Sequence, residues 1–161
     1  MAPKLNGSDI QLCGDMRQAN GAIKHGSFPI PTSGETLLEI NSRKVFSKLD
    51  LKWGFHQLQL SLESRPSTTF ATHMGLYRYK RLMFGVTSAP EVYQYTIQSV
   101  LGDCEGARNM IGDITIHADS VEEHDRRLEK VLSTLQANGL TLNPYKCVQN
   151  DGARVHGVPF V

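Results

Sequence analysis

The stretch Val45–Leu60, VFSKLDLKWGFHQLQL, is the part of the chain that decides the fold. Apolar and polar residues alternate from Val45 to Leu49, which predicts a strand, because successive side chains in a strand point to opposite faces. Asp50 then stands where the strand ends and a Trp-Gly turn begins. The alternation resumes over Phe55–Leu60, which predicts a second extended run after the turn.

The carboxylate of Asp50 and the ring of Phe55 suggest one kind of chemistry. An acid at a strand end, followed by an aromatic residue, suits a metal-dependent nucleotidyl-transfer site. The acid would bind Mg²⁺, and the ring would form the floor of a sugar pocket. The alternative is a turn aspartate beside a core phenylalanine. The stretch taken alone favours that alternative, because one short pattern seldom identifies a site.

The composition describes one domain with an ordinary core. The chain has 161 residues, of which 40% are hydrophobic and 20% are charged, as in a typical globular protein. Seventeen basic residues against 16 acidic residues give a formal net charge of +1. Proteins that bind phosphate backbones usually carry a basic excess, so this charge gives only weak support for a nucleic-acid partner.

The sequence predicts an intracellular protein without a membrane span. It contains no apolar run of about eighteen residues, and the N-terminal segment MAPKLNGSD lacks the apolar core of a signal peptide. Cys13, Cys104 and Cys147 fit neither a disulfide framework nor a paired-cysteine zinc site. We therefore expect reduced thiols and an intracellular location, with the choice between cytoplasm and nucleus open.

Six blocks of the sequence together resemble the reverse transcriptase of gypsy-type long-terminal-repeat retrotransposons. The blocks are LCGDMRQAN (Leu12–Asn20), PIPT (Pro29–Thr32), VFSKLDLKWGFHQ (Val45–Gln57), TTFATHMGLYRYKRLMFGVTSAPE (Thr68–Glu91), VEEHDRRLEKVL (Val121–Leu132) and GLTLNPYKC (Gly139–Cys147). The resemblance covers the chain from about Ala2 to Cys147. Ordered blocks are far more specific than one short motif, so they outweigh the alternative interpretation of Asp50.

The resemblance implies a fold and a set of partners. The fold would be α+β, a reverse-transcriptase palm whose antiparallel sheet is backed by two or three helices, with a partial fingers region. Residues 1–161 would form one domain, with fingers up to about residue 44 and mostly palm from about residue 45, plus a fingers-associated hairpin. Thumb, connection and ribonuclease H regions would be absent. The partners would be an RNA or DNA template–primer and a deoxynucleoside triphosphate, and the oligomeric state is open.

The resemblance also implies a role for each matching residue. Asp50 and Asp113 would be the catalytic carboxylates that hold Mg²⁺, since a strand end and a hairpin tip would converge there. Phe55 would discriminate the sugar. The residues expected to contact the nucleotide are Phe55, Phe84, Gly85 and Lys146. A plain surface lysine is the alternative for Lys146.

One block departs from the family at the point that matters most. In RNMIGDITIHA (Arg108–Ala118), two β runs meet at a predicted turn pair, Gly112-Asp113. The family presents two adjacent carboxylates there, and Gly112 replaces the first with a residue that has no side-chain oxygen. Asn109 offers at best a neutral amide oxygen. Asp119 lies too far along the chain to reach the turn.

A second departure weakens the expected contact with the triphosphate. Gln11 stands where the family has a basic residue. Two hypotheses therefore remain. The chain is an RNA-directed DNA polymerase domain that uses two Mg²⁺ ions, or it is a non-catalytic relic or a binding module for nucleic acid or protein. Gly112, Gln11 and the short length favour a copy that is inactive by itself, so Mg²⁺ is expected only if the site is active.

Local signals predict the remaining elements. A hairpin is expected from the runs Thr68–His73 and Leu76–Arg81, with Arg78, Lys80 and Arg81 as either a solvated cluster or a template contact. Helices are expected to begin at capping boxes, in which a Ser or Thr is followed three residues later by Glu. The boxes are Thr32 with Glu35, Ser88 with Glu91, and Ser120 with Glu123.

Two of these boxes precede helices with predicted buried faces. The helix after Ser88 is expected to end at Gly102 and to bury a core stripe. That stripe is Val92, Tyr93, Thr96, Ile97 and Val100. The last helix is expected over Asp119–Asn138, with a solvated charged face from Glu122 to Lys130.

Overall fold

The structure is a computed structural model that describes residues 2–3, 10–11, 14–23, 28 and 43–150. The strands are β1 (Ala2–Pro3), β2 (Ile10–Gln11), β3 (Val45–Asp50), β4 (Thr69–Thr72), β5 (Gly75–Arg78), β6 (Ala107–Met110), β7 (Asp113–Ala118) and β8 (Val148–Asn150). The helices are α1 (Arg17–Asn20), α2 (Gly54–Gln57), α3 (Ala89–Val100) and α4 (Val121–Ala137), and a 3-10 helix spans Arg65–Thr68.

The central sheet has four strands in the order β6-β7-β3-β8. Strand β3 pairs antiparallel with β7, from Val45 opposite Ala118 to Asp50 opposite Asp113. It pairs antiparallel with β8 on its other side, and β6 and β7 form the predicted hairpin. Because this sheet is antiparallel and helices pack on it, the predicted α+β class is confirmed.

The alternation in β3 sorts its side chains onto two faces of the sheet. Val45, Ser47 and Leu49 are buried, while the alternating residues Phe46, Lys48 and Asp50 lie on the more open face. The helix residues buried in the core cluster are Ala89, Tyr93, Ile97, Leu128, Val131 and Leu135. Burying each such side chain contributes roughly 1.5–3 kcal/mol, so the alternation both forms the strand and orients Asp50 away from the core.

Helix α4 begins as predicted. The Ser120 hydroxyl accepts a hydrogen bond from the Glu123 amide at 3.2 Å. The Glu123 carboxylate accepts from the Asp119 amide at 3.3 Å, one residue before the usual partner in a capping box. The helix spans Val121–Ala137, inside the predicted range.

The prediction of a fully solvated charged face on α4 is wrong at Arg127. This side chain is only 8% exposed. Its guanidinium donates to the His117 carbonyl at 2.7 Å and pairs with Glu105 at 2.6 Å and Glu123 at 2.8 Å. A charge is buried only when it is paired and hydrogen-bonded, and here a backbone carbonyl and two carboxylates meet that condition.

The predicted extended run Phe55–Leu60 is also wrong at its start. Trp53 has a left-handed backbone (φ +55°), which turns the chain directly into the short helix α2. The Gln57 side chain then fixes this turn, donating to the Thr141 carbonyl at 2.8 Å and accepting from the Thr141 amide at 2.7 Å. These partners are distant in sequence, so local alternation could not reveal them.

The predicted capping box at Ser88 is not formed. Ser88 has a helical backbone and makes no side-chain cap hydrogen bond, whereas a capping residue normally has a non-helical backbone. Helix α3 ends at Val100, just before the predicted Gly102. Tyr93 and Ile97 are buried as expected, but Val92 is 46% exposed, and Gln94 takes a buried position instead.

The predicted hairpin β4–β5 is confirmed, with Phe70 opposite Tyr77 and Thr72 opposite Gly75. All residues of both strands are exposed. Several predictions lie outside the described residues. They are the Thr32–Glu35 box, the thiol of Cys13, the side chain of Gln11 and everything after Asn150.

Candidate functional site

Asp50 and Asp113 lie directly opposite each other at one end of the sheet. The Leu51 amide donates to the Gly112 carbonyl at 3.4 Å, which makes the next pair, Asp50 with Asp113, a non-hydrogen-bonded pair. In such pairs the Cβ atoms are about 4.5–5.5 Å apart and the side chains lie on the same face. The structure therefore brings the two predicted acids together, while their binding of a shared metal remains a prediction.

The turn before Asp113 differs by one residue from the prediction. Strand β6 ends at Met110 and β7 begins at Asp113. The two turn residues are therefore Ile111 and Gly112, with φ of +35° and +104°. Positive φ at both positions suits a tight hairpin whose twist matches its strands. Gly adopts this conformation freely, whereas a β-branched residue such as Ile111 is strained there.

Gln94 of α3 holds this turn from beneath. Its side chain is fully buried. The side-chain amide donates to the Asn109 carbonyl at 2.7 Å, and its oxygen accepts from the Ile111 amide at 3.0 Å. The Asn109 amide turns inward to the same oxygen at 3.3 Å. Asn109 thus belongs to the support of the turn, and Asp119 is bound to Arg43 at the other end of β7.

Two lysines lie against the two acids. The Lys48 ammonium is 2.7 Å from Asp113 Oδ2. The Lys146 ammonium is 3.9 Å from Asp50 Oδ2, with 61% of the lysine side chain exposed. Lys146 therefore lies next to Asp50, while its role beside a triphosphate remains a prediction. Lys48 precedes Asp50 by two residues, so β-strand alternation alone would have placed it on the same face.

The predicted nucleotide-contacting rings form one stack. Phe55 lies on Phe84 with ring centroids 4.9 Å apart and planes at 25°. Phe55 also contacts Tyr93, at 5.1 Å. Tyr93 is close enough to both acids for their charges to raise its pKa, and Phe55 and Phe84 are only partly buried. Their contact with a nucleotide remains a prediction.

Tyr93 places a hydroxyl in the core beneath the acids. Burial raises the pKa of this hydroxyl far above its ordinary value, and the charges of Asp50 and Asp113 add to the effect. The hydroxyl is buried and has no hydrogen-bond partner among the described residues. A Cβ on Gly54 would lie 2.7 Å from it, so the turn after Asp50 needs glycine at this position.

Cys147 lies close to Asp50 as well. Its thiol is half-buried and donates to the Asn143 carbonyl at 3.2 Å. Burial raises the pKa of the thiol, a hydrogen bond to the Asp50 backbone opposes that effect, and the Asp50 charge adds to it. Cys147 is a free thiol, as predicted.

Gly85 has a packing role that is separate from its predicted nucleotide contact. Its φ is +103°, and a Cβ there would lie 2.5 Å from the Gly14 carbonyl oxygen. Asn20 of α1 holds the same loop, donating to the Gly85 carbonyl at 2.9 Å and accepting from the Thr87 amide at 3.1 Å. The missing Cβ of Gly85 therefore allows a close approach of the N-terminal segment, and the contact of Gly85 with a nucleotide remains a prediction.

Other polar side chains make their contacts at the surface of the domain. Arg81 donates to the Gln57 carbonyl at 2.8 Å, so it is part of the α2 support. Asp15 and Arg17 form an exposed ion pair, at 2.6 Å. The Arg17 guanidinium lowers the pKa of the Asp15 carboxyl to about 2.

The residues present fit one divalent ion better than two. The described residues contain no group of three or more His, Cys, Asp or Glu side chains placed to hold a metal. Mg²⁺ is often bound through one or two carboxylates, with water and substrate phosphate oxygens completing its shell. Asp50 and Asp113 meet that requirement, but the third carboxylate expected for two ions has no counterpart near them.

The family follows from a comparison with known proteins. A model of the family described as reverse transcriptase (RNA-dependent DNA polymerase) matches residues 10–160. The chain belongs to the reverse transcriptase family. It is 29% identical over 147 residues to the Tf2-3 transposon polyprotein of Schizosaccharomyces pombe, covering 90% of this chain and 11% of that protein. It is 32% identical over 144 residues to the retrovirus-related Pol polyprotein from transposon opus of Drosophila melanogaster, covering 88% and 14%.

Solved structures show the same fold. The foamy viral protease-reverse transcriptase in complex with double-stranded DNA matches with a TM-score of 0.84 and 24% identity, over 91% of this chain and 26% of that one. The foamy viral protease-reverse transcriptase in complex with an RNA/DNA hybrid matches with a TM-score of 0.77, over 83% of this chain and 18% of that one. These matches confirm the predicted fold, an antiparallel sheet consistent with a partial palm. This chain therefore spans only 11% and 14% of the lengths of these two transposon polyproteins.

No helix in the described part of the domain combines the length and the apolar character that crossing a bilayer requires. The predicted division into fingers and palm near residue 44, the named roles of the site residues and the cellular compartment remain predictions.

Proposed function

We propose that this reverse transcriptase domain binds a template–primer and a deoxynucleoside triphosphate but does not add nucleotides at physiological Mg²⁺. Similarity to transposon polyproteins and to a viral enzyme solved with DNA and with an RNA/DNA hybrid supports the nucleic-acid partner. The observation that carries the proposal is the pair of acids, Asp50 and Asp113, with Gly112 at the turn beside them.

The two acids support binding more strongly than they support turnover. Asp50 and Asp113 lie opposite each other at one end of the sheet, where a metal ion would contact them. The stacked rings of Phe55 and Phe84 would contact the nucleotide. Mg²⁺ bound there would supply positive charge for phosphoryl transfer. Electrostatic stabilisation is usually the largest catalytic effect. The loss of one carboxylate, which would hold the ions in position, therefore affects the rate more than the binding.

Primer extension is the direct test. The unmodified domain is compared with Gly112→Asp, Gly112→Asn and Asp50→Asn on a labelled template–primer at physiological Mg²⁺. Gly112 has a φ of +104° that side chains rarely adopt, and a Cβ there meets nothing within 4 Å. Asp and Asn variants share the same backbone strain and the same size, so any difference between them comes from the carboxylate.

We expect no extension by the unmodified domain or by Gly112→Asn, and measurable extension only by Gly112→Asp. The extension rate of Gly112→Asp should be lower than a restored carboxylate ligand alone would give, because the turn must first relax around the new side chain. Extension by the unmodified domain that Asp50→Asn abolishes would overturn the proposal and show that Asp50 and Asp113 suffice.

The second candidate is a relic that binds no nucleic acid. The exposed charges of Arg78 and Lys80 on the β4–β5 side argue against it, since they leave a surface that phosphates can approach. The absence of any binding to template–primer at low salt would favour the relic.

A further inference from the structure

Lys48 carries an ammonium group that lies against one of the two site carboxylates, at 2.7 Å from Asp113 Oδ2. Because Lys48 and Asp50 are two residues apart in β3, their side chains lie on the same face of the sheet. The Lys48 and Asp113 side chains are 49% and 40% exposed. The pair is therefore formed in a position that solvent and ions can reach.

The acids and lysines of the site cancel each other's charge. Lys48 is paired with Asp113, and Lys146 lies 3.9 Å from Asp50. Two carboxylates alone would present a charge of about −2 to an arriving cation, and Coulomb attraction scales with that charge. With both ammonium groups in place, the formal charge of the four side chains is zero. Metal binding therefore has to begin from a neutral cluster.

Lys48 is the stronger of the two counter-ions. The 2.7 Å between the Lys48 ammonium and Asp113 is within hydrogen-bond length, whereas the 3.9 Å between Lys146 and Asp50 exceeds it. A cation that uses the Asp113 oxygen must take the place of the Lys48 ammonium. The movement needs only rotations of an exposed lysine side chain.

We infer that Lys48 is a resident counter-ion of Asp113 which a divalent, oxygen-preferring cation must displace, so that Lys48 lowers the metal affinity of the site. The inference rests on the proposed function, because it concerns the same two acids. No covalent bond changes in the exchange. The cation gains the carboxylate oxygen, and the ammonium moves into solvent or to a phosphate oxygen of a bound nucleotide.

The chain contains its own reporter for this exchange. Trp53 is the single tryptophan and follows Asp50 by three residues. Tb³⁺ prefers oxygen ligands, and its emission is sensitised by a nearby indole. The experiment titrates TbCl₃ into the domain without nucleic acid, then displaces Tb³⁺ with MgCl₂ or MnCl₂ to obtain their affinities. Asp50→Asn and Asp113→Asn identify the emission that comes from this site.

Three lysine variants separate the contact from its charge. Lys48→Met removes the ammonium, and Lys48→Arg keeps a cation at the same position. Lys44→Met makes the same charge change just before β3, where Lys44 is exposed. Six residues of strand place Lys44 about 20 Å from Asp50, well beyond the screening length of about 8 Å at physiological salt. Lys48→Gln serves as a second neutral variant if Lys48→Met folds poorly by circular dichroism.

We expect Lys48→Met to bind Mg²⁺ and Mn²⁺ roughly three- to fivefold more tightly than the unmodified domain, since half-exposed ion pairs contribute at most about 1 kcal/mol. Lys48→Arg and Lys44→Met should stay within about twofold of the unmodified domain.

Metal binding by Lys48→Met that is equal to or weaker than that of the unmodified domain would overturn the role of Lys48 and leave the proposed function intact. The same gain in metal affinity in Lys44→Met would do so as well. If Lys48→Met gave no emission that Asp113→Asn removes, the metal site of the proposed function would itself be wrong. The two failures are therefore distinguishable.

Discussion

The backbone amide of Ile111 donates a hydrogen bond of 3.0 Å to the side-chain oxygen of Gln94. This contact joins helix α3 to the turn that precedes Asp113. Ile111 has a φ of +35° and is 46% exposed, so its side chain gains little from burial. The hydrogen bond and the tight turn therefore hold a β-branched residue in a conformation that it disfavours.

Replacing Ile111 with glycine should stabilise the domain. The left-handed conformation costs a side-chain-bearing residue about 1–2 kcal/mol, against about 0.5–1 kcal/mol for the added freedom of glycine in the unfolded chain. We expect Ile111→Gly to raise the free energy of unfolding by up to about 1 kcal/mol in urea denaturation. The matched control is Met110→Gly, one residue earlier in a regular strand, which should lower it. A loss of stability in both variants would show that Ile111 is not strained.

Removal of the Tyr93 hydroxyl should also stabilise the domain. A buried polar group without a partner costs about 1–3 kcal/mol, and Tyr93→Phe removes only the hydroxyl. The pKa of Tyr93 is raised in the folded state. Ionisation of this hydroxyl therefore leaves the free energy of unfolding unchanged below the unfolded pKa of about 10, and lowers it as the pH rises further. Urea denaturation between pH 7 and pH 11 should show a smaller alkaline loss for Tyr93→Phe. A destabilised Tyr93→Phe at pH 7 would mean that the hydroxyl has a partner, such as water shared with the acids.

The two serines of the predicted capping boxes should respond differently to alanine. Ser120 caps α4 through its hydroxyl, so Ser120→Ala should lower the free energy of unfolding by about 1 kcal/mol. Ser88 makes no such hydrogen bond, and Ser88→Ala should change it by less than about 0.5 kcal/mol. Thermal and urea denaturation of both variants give the comparison. Equal losses would contradict the geometry at Ser88.

Affinity for a template–primer should be weak and strongly salt-dependent. The formal net charge is +1, so few phosphates are neutralised and the affinity is low. The affinity that remains comes from phosphate contacts that release counterions, so it falls as salt rises. We expect Arg78→Gln and Lys80→Gln each to reduce the slope of log affinity against log salt by about 0.9, measured by fluorescence anisotropy between 50 and 200 mM salt. Lys130→Gln, on the exposed side of α4, is the control and should leave the slope unchanged. Tight binding that persists at high salt would reveal a base-stacking surface instead.

Local patterns predicted the elements whose partners are local or whose burial is one-sided. The alternation in β3 gave the correct orientation of Asp50, because only one face of that strand meets the core. The capping box at Ser120 formed because all its partners lie within four residues. The sequence carried no comparable signal for Gln94, whose partners are 15 and 17 residues away and are brought near by the packing of α3 on the hairpin. The prediction of an extended run from Phe55 failed for the same reason, since the helix there is held by a hydrogen bond from Gln57 to the distant Thr141.

The attachment of α1 through Asn20 has a consequence for hydrogen exchange. The Thr87 amide is bound to the Asn20 side chain rather than to a strand or helix carbonyl. One or two side-chain hydrogen bonds contribute only about 0.5–1.5 kcal/mol each, far less than the cooperative sheet. The contact should therefore open many times for each global unfolding event. Deuterium uptake at the Thr87 amide then measures how often the N-terminal segment leaves the loop, while amides of β3 and β7 remain protected.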